Sequence, residues 1–202
     1  MIHEVIVTTR NMNNKVHIAP MGIKLLNENS ERFAQISPFK PSQTLDNILE
    51  TDIATINFID DVKVFAGIVT GKRKDWKLAS SQDKHVPHLE HTNTHMNAIV
   101  DKVFDDSVRP KIKCKIINEE VHRSFLGFNR AQFSVIELAV LSTRLGMIDD
   151  NKVKEELKYL KIGIDKTAGD NEKEAWGWIE NKIKKWSVLF LLFFPSDFTL
   201  FC

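Results

Sequence analysis

Most of the signals that announce a function are scarce or missing in this chain. Its 202 residues hold two cysteines, Cys114 and Cys202. Two are too few for a disulfide framework, and neither sits at metal-ligand spacing from a partner. Lysine and arginine number 28 against 27 aspartates and glutamates, so the net charge is +1. A balance this close to neutral supplies no bulk field to hold a nucleic acid, and no long basic run is interleaved with aromatics. The longest apolar run, Val188–Pro195, falls well short of the roughly 20 residues a bilayer core requires. Neither a nucleic-acid nor a membrane partner is therefore expected. The N-terminus enters a strand pattern directly, without the charged and apolar regions of a signal peptide, so the expected location is the cytoplasm. No Ser-His-Asp order in a recognisable setting, no paired-carboxylate motif and no activated cysteine appears. Covalent or acid–base catalysis by side chains alone is thereby disfavoured, whereas a protein that leaves its chemistry to a bound cofactor remains open.

What is present is a chain with 43% hydrophobic residues, enough to bury a core in one large domain or in one domain with an appendage. The stretch 2–22, IHEVIVTTRNMNNKVHIAPMG, holds two β-rich runs, Val5–Thr9 and Val16–Ala19, around the turn-forming Asn11-Met12-Asn13-Asn14. That spacing predicts a hairpin. Its exit, Pro20-Met21-Gly22, is either a breaker ending an edge hairpin or a segment whose backbone a ligand can approach, since Gly22 carries no Cβ. Lys24–Glu31 is polar enough for a connection, and Arg32–Ser37 reads as a short strand.

Leu45, Ile48 and Leu49 recur at i, i+3 and i+4 and predict a short helix over 42–50 with Ser42 as N-cap. Lys40, Ser42 and Thr44 at its start serve either as plain capping and surface residues or as a phosphate cradle, where helix amides and hydroxyls donate and a cation neutralises charge. Ile53–Ile59 predicts a buried strand, and Val62–Val69 has helical spacing with a β-branched content that also permits strand. Between Gly71 and His95 the sequence is polar and irregular and contains His85, His88, His91 and His95. Three-to-four spacing would align imidazoles on a helix for zinc. Pro87 interrupts such a helix and no second ligand group is evident, so no metal is assigned and a solvated, mobile loop is expected.

Asn97–Phe104 and Lys111–Val121 predict two further strands. In the second, Ile112, Cys114 and Ile116 alternate with Lys111, Lys113 and Lys115, one face inward and one in water. Cys114 is expected as a small buried hydrophobe. About six strands with few helices suit a small closed barrel. The period then changes to helical. Residues 131–145 carry an apolar stripe too broad for a surface helix, one expected to pack on the barrel and on a neighbour. A helix through Val153, Leu157 and Leu160 is expected to end at Gly163, and a third passes through Trp176, Ile179 and Ile183. Residues 187–202, with five phenylalanines and one charge, fit none of these patterns.

VTTRNMNNKVHIAPMG followed by PFKPSQTLDNILETDIATINFIDD resembles the FMN-binding split barrels of the flavin-reductase type. The later run FLGFNRAQFSVIELAVLSTRL is similar to a domain of unknown function met mainly in methanogens and methylotrophs. The resemblance spans roughly Ile2 to Lys185. It implies an α+β fold, a split β-barrel of about six antiparallel strands over 1–122 and a helical C-terminal segment over 123–185, and stops before the apolar tail over 186–202, whose role is unknown. It further implies a homodimer holding FMN at the subunit interface. By the same resemblance Lys40, Ser42 and Thr44 match the phosphate-binding stretch. Thr8, Thr9 and Arg10 match the strand end that reaches phosphate or ribityl oxygens, and Pro20, Met21 and Gly22 match the segment along the isoalloxazine. Asn57 and Asp60 are weaker matches. Asn129 and Arg130 either cap and start the broad helix or reach the partner's flavin. The implied function is an FMN-dependent oxidoreductase passing electrons from a reduced nicotinamide to a small acceptor, with a non-catalytic FMN carrier as the alternative. The catalytic residues and the substrate are not implied.

Overall fold

The computed structural model describes residues 1–79 and 85–193, with side chains described through Trp186. The chain divides into two compact units: residues 1–60 with 74–126, and residues 61–73 with 127–202.

The first unit is a closed six-stranded barrel. Its strands are β1 (His3–Arg10), β2 (Val16–Glu28), β3 (Glu31–Ile36), β4 (Ile53–Phe58), β5 (Thr94–Phe104) and β6 (Lys111–Val121). They run in the order β1-β2-β3-β6-β5-β4, and β4 closes back on β1. All neighbouring pairs are antiparallel. Alternation decides what lies inside: Val5 and Val7, Ile23, Ala34 and Ile36, Ala54 and Ile56, Met96 and Ala98, and Ile112 and Cys114 form one buried cluster. Helix α1 (Gln43–Thr51) contributes Leu45 and Ile48 to the same cluster. The expected strands and the capped helix are therefore present. The expected connection at Lys24–Glu31 is not, because β2 continues to Glu28. Met21, Ile23 and Leu25 keep the inward alternation while Lys24 stays in water. Asn29 and Ser30 then turn the chain with φ of 50° and 65°, both in the left-handed region that a two-residue hairpin turn requires.

Cys114 is buried as expected, and burial pushes its thiol up to about 12. A thiol held protonated is a poor nucleophile. Alkylating reagents at pH 8 should leave Cys114 unmodified in the native protein and label it after denaturation, as peptide mass spectrometry can read out. Labelling of native Cys114 would contradict its placement in the barrel.

The second unit is helical: α2 (Val62–Thr70), α3 (Arg130–Ser142), α4 (Asp150–Thr167) and α5 (Asp170–Phe193). Helix α2, whose spacing left strand open, caps itself through Asp61, which accepts from the Lys63 amide. The broad stripe of α3 is explained within this unit, since α2, α4 and α5 all contact it. Val62, Val135, Leu138, Leu160, Ile164, Trp176 and Ile179 share its core. Gly163 does not end α4, which runs on to Thr167. A Cβ there would lie 2.4 Å from Ser134 Oγ and 3.0 Å from the Arg130 carbonyl oxygen, so the glycine allows a close crossing of α3 and α4. Of the tail expected at 186–202, α5 carries the backbone to Phe193 and the rest lies outside the described residues. Among the described residues no helix is long and apolar enough to cross a membrane.

Candidate functional site

The ladder between β2 and β3 begins at Ile23 and Ile36. Residues 37–42 leave the sheet at that level, so β2 over 16–22 is paired with β1 alone among the described residues. A proline is tolerated on such a half-open strand, and Pro20 sits there opposite Ile6. Val16 to Gly22 are all half-buried. Met21 packs against the barrel core, which leaves the strand's backbone edge, rather than the Met21 side chain, to meet a ligand. The space beside Gly22 is not empty, since a Cβ would lie 3.0 Å from the Ile2 side chain.

The segment that leaves this edge leads into α1. Ser42 caps it, its Oγ accepting from the Leu45 amide at 3.3 Å. The Lys40 amide donates to the Val108 carbonyl, and its ammonium lies 3.4 Å from Asp105. Both side chains are well exposed, at 49% and 83%. An exposed ion pair of this kind contributes little, so Lys40 is available to a stronger anion.

The other expected contacts do not converge on this point. Thr44 is 2% exposed. Thr8 and Thr9 are fully buried, with their hydroxyls occupied: Thr8 donates to the Pro87 carbonyl at 2.8 Å, and Thr9 accepts from Asn47 Nδ2 at 3.0 Å. These threonines hold the barrel together rather than lining a surface. Arg10 is partly exposed, and its carbonyl accepts from Thr51 at the far end of α1. The length of α1 from Gln43 to Thr51, about 12 Å at 1.5 Å per residue, separates the Arg10 backbone from the Ser42 cap. Asn129 and Arg130 belong to the helical unit. There Asn129 caps α3, accepting from the Ala131 and Gln132 amides and donating to the Thr167 carbonyl.

The histidine-bearing loop differs from the expected solvated segment. Residues 80–84 lie outside the described residues, but 85–93 is docked on the outer face of β1, β4 and β5. Val86 and Leu89 are 2% and 4% exposed. Thr8 and Thr55 donate to the carbonyls of Pro87 and Val86, the latter at 2.7 Å. Asn57 accepts the Leu89 amide at 2.8 Å and donates to the Ile6 carbonyl at 3.0 Å. Asn97 donates to Thr55 Oγ1 at 2.9 Å. Thr8 of β1 with Thr55 and Asn57 of β4 thus clamp the loop, and Asn97 of β5 braces Thr55. The docking brings His88 beside His95 of β5 and His122 just beyond β6. Asp60, shortly after β4, accepts from Asn93 Nδ2 at 3.1 Å.

Two family models match the chain. One, described as the N-terminal domain of a protein of unknown function (DUF447), covers residues 3–123, and its DUF447 companion covers 129–181. No curated protein matches. Among solved structures, an FMN-bound DUF447 protein from Methanosarcina mazei has a TM-score of 0.73 at 20% identity, covering 90% of this chain and 94% of its own. A flavoredoxin from Methanosarcina acetivorans reaches 0.52 at 16% identity, with 62% and 72% covered. The flavin reductase of the styrene monooxygenase from Pseudomonas putida S12 reaches 0.50 at 10% identity, with 59% and 81% covered. At these identities the likeness is one of fold: the barrel is a split barrel.

Proposed function

We propose, from the premise that this chain belongs to the DUF447 family, that it binds FMN and acts as a flavin-dependent oxidoreductase. In this reading it passes electrons from a reduced nicotinamide to a small acceptor. The observation that carries the reading is the half-open β2 edge at Pro20–Gly22, beside the point where the chain leaves β3 at Ile36, opposite Ile23, for the Lys40–Ser42 entry of α1. An edge with free backbone groups suits a flat, hydrogen-bonding ring, and a capped helix start beside an exposed cation suits a phosphate. The FMN-bound DUF447 structure and the flavin-reductase neighbours, which share this fold, support the same cofactor.

In use, Lys40 and the first amides of α1 hold the phosphate, and the edge of β2 orients the ring. The flavin supplies the electron chemistry. The chain works as a homodimer in this reading, with a second copy covering the open edge. Absorbance of the purified protein should carry a flavin spectrum that bleaches on anaerobic addition of reduced nicotinamide. Light scattering should give twice the 23.2 kDa chain mass. A protein that neither retains nor takes up FMN overturns the reading. Flavin that stays oxidised while bound, under reduced nicotinamide, removes the nicotinamide-dependent activity and leaves a carrier.

A further inference from the structure

We propose that His88, His95 and His122 form a binding site for a late first-row divalent transition ion, Zn2+ foremost, with a coordination position left open. The three residues come from three separate stretches of the barrel unit: the docked loop, β5, and the residue following β6. One ligand nitrogen from each lies within 4.8 Å of the others. His95 Nδ1 and His122 Nε2 are 2.8 Å apart. Ligands at Zn–N distances near 2.0–2.1 Å in a tetrahedral shell stand about 3.3 Å from one another. The His95–His122 separation is shorter than that and the other pairs lie within 4.8 Å, so the rings turn to admit an ion between them.

The three rings are stacked nearly parallel, with His88 to His95 centroids 4.1 Å apart and His88 to His122 centroids 4.7 Å apart, so they ligate an ion only by turning out of the stack until their lone pairs converge. The Glu120 carboxylate lies 3.8 Å from His122 Nδ1, on the side of the ring away from Nε2, from where a small shift brings it to the hydrogen-bond distance at which a carboxylate fixes a ligating ring. His88 is held in place by its loop neighbours, since Pro87 and Leu89 on either side are anchored to Thr8 and Asn57. Three imidazoles without thiolate or carboxylate ligands suit Zn2+, Co2+, Ni2+ or Cu2+ rather than Mg2+ or Ca2+. Among the described residues no fourth histidine, cysteine or acidic group joins the three, which leaves a position for water or a substrate atom.

The test is calorimetric titration of ZnCl2 into the full-length protein after EDTA treatment and dialysis. One ion should bind per chain. His88→Ala and His122→Ala should each weaken binding by more than about tenfold, the least that losing even an outer partner of a metal site costs. His91→Ala, whose side chain is 74% exposed, should bind as wild type. Melting curves recorded first establish that each variant is folded. A visible spectrum of the Co2+-loaded wild-type protein decides without any variant. Intense tetrahedral ligand-field bands support the site, and the weak bands of an octahedral, surface-bound ion overturn it. Absence of stoichiometric Zn2+ binding, or wild-type affinity in His88→Ala/His122→Ala, overturns it equally.

Discussion

Asn57→Ala should lower the melting temperature by on the order of 5–15 °C. The substitution removes the acceptor for the Leu89 amide and a donor to the Ile6 carbonyl, at a residue with no solvent exposure. A buried polar group left without a partner costs about 1–3 kcal/mol. Two such losses, about 2–6 kcal/mol together, span roughly 4–24 °C at about 2–4 °C per kcal/mol for a chain of this size, and the stated range is the middle of that span. The same change should abolish hydrogen-exchange protection of the Leu89 amide, whose acceptor among the described residues is Asn57 Oδ1. A melting shift under about 2 °C, less than one hydrogen bond's worth, with Leu89 still protected, would show that the loop is not clamped from β4.

FMN affinity should fall by about 10–150-fold in Lys40→Ala, the equivalent of the roughly 1.5–3 kcal/mol that a charge-assisted hydrogen bond contributes. Lys40 is not needed for the fold: its ion pair with Asp105 is solvent-exposed on both sides, so the loss should appear in binding and not in melting. Asp105→Asn should act in the opposite direction, tightening FMN by freeing Lys40 from its competitor. Adding Ser42→Ala to Lys40→Ala should weaken binding further if, as proposed, the hydroxyl that caps α1 also meets the phosphate. An unchanged dissociation constant in the double variant, measured by flavin fluorescence, would remove the phosphate from this end of α1.

Local patterns carried most of the architecture. Alternation at Ile112, Cys114 and Ile116 and the Ser42 cap before Leu45 and Ile48 are decided within a few residues, and the structure follows them. Where the outcome depended on distant partners, the sequence misled. Gly163 looks like a helix terminator because its local effect is unfavourable. Its role is to let α4 approach Ser134 and Arg130, some thirty residues earlier. Thr8 and Thr9, read locally as strand-end hydroxyls, are engaged with distant groups, Thr8 donating to the Pro87 carbonyl and Thr9 accepting from Asn47. The charges of Lys24 and Glu28 concealed the inward alternation of Met21, Ile23 and Leu25. His122 escaped notice because nothing near it in sequence links it to His88 or His95. The one clue was register: His95 pairs with Glu120, which places residue 122 one strand away. Pairing the histidines across neighbouring strands would have found it.

The two units are interleaved in the chain, and this sets an order of events during synthesis. Helix α2 leaves the ribosome long before α3 and α5, which cover Val62 and Ala66. At about 5–20 residues per second the wait until Ile179 has been made is on the order of ten seconds. The barrel has the same difficulty: β3 needs β6, some eighty residues later, before its open side is paired. Neither unit can therefore close early, and nascent chains expose apolar surface from both at once. Long-range pairings of this kind slow folding. A cell making this protein should accordingly show strong dependence on chaperones that shield emerging chains, and synonymous changes that slow translation after α2 should lower the soluble yield.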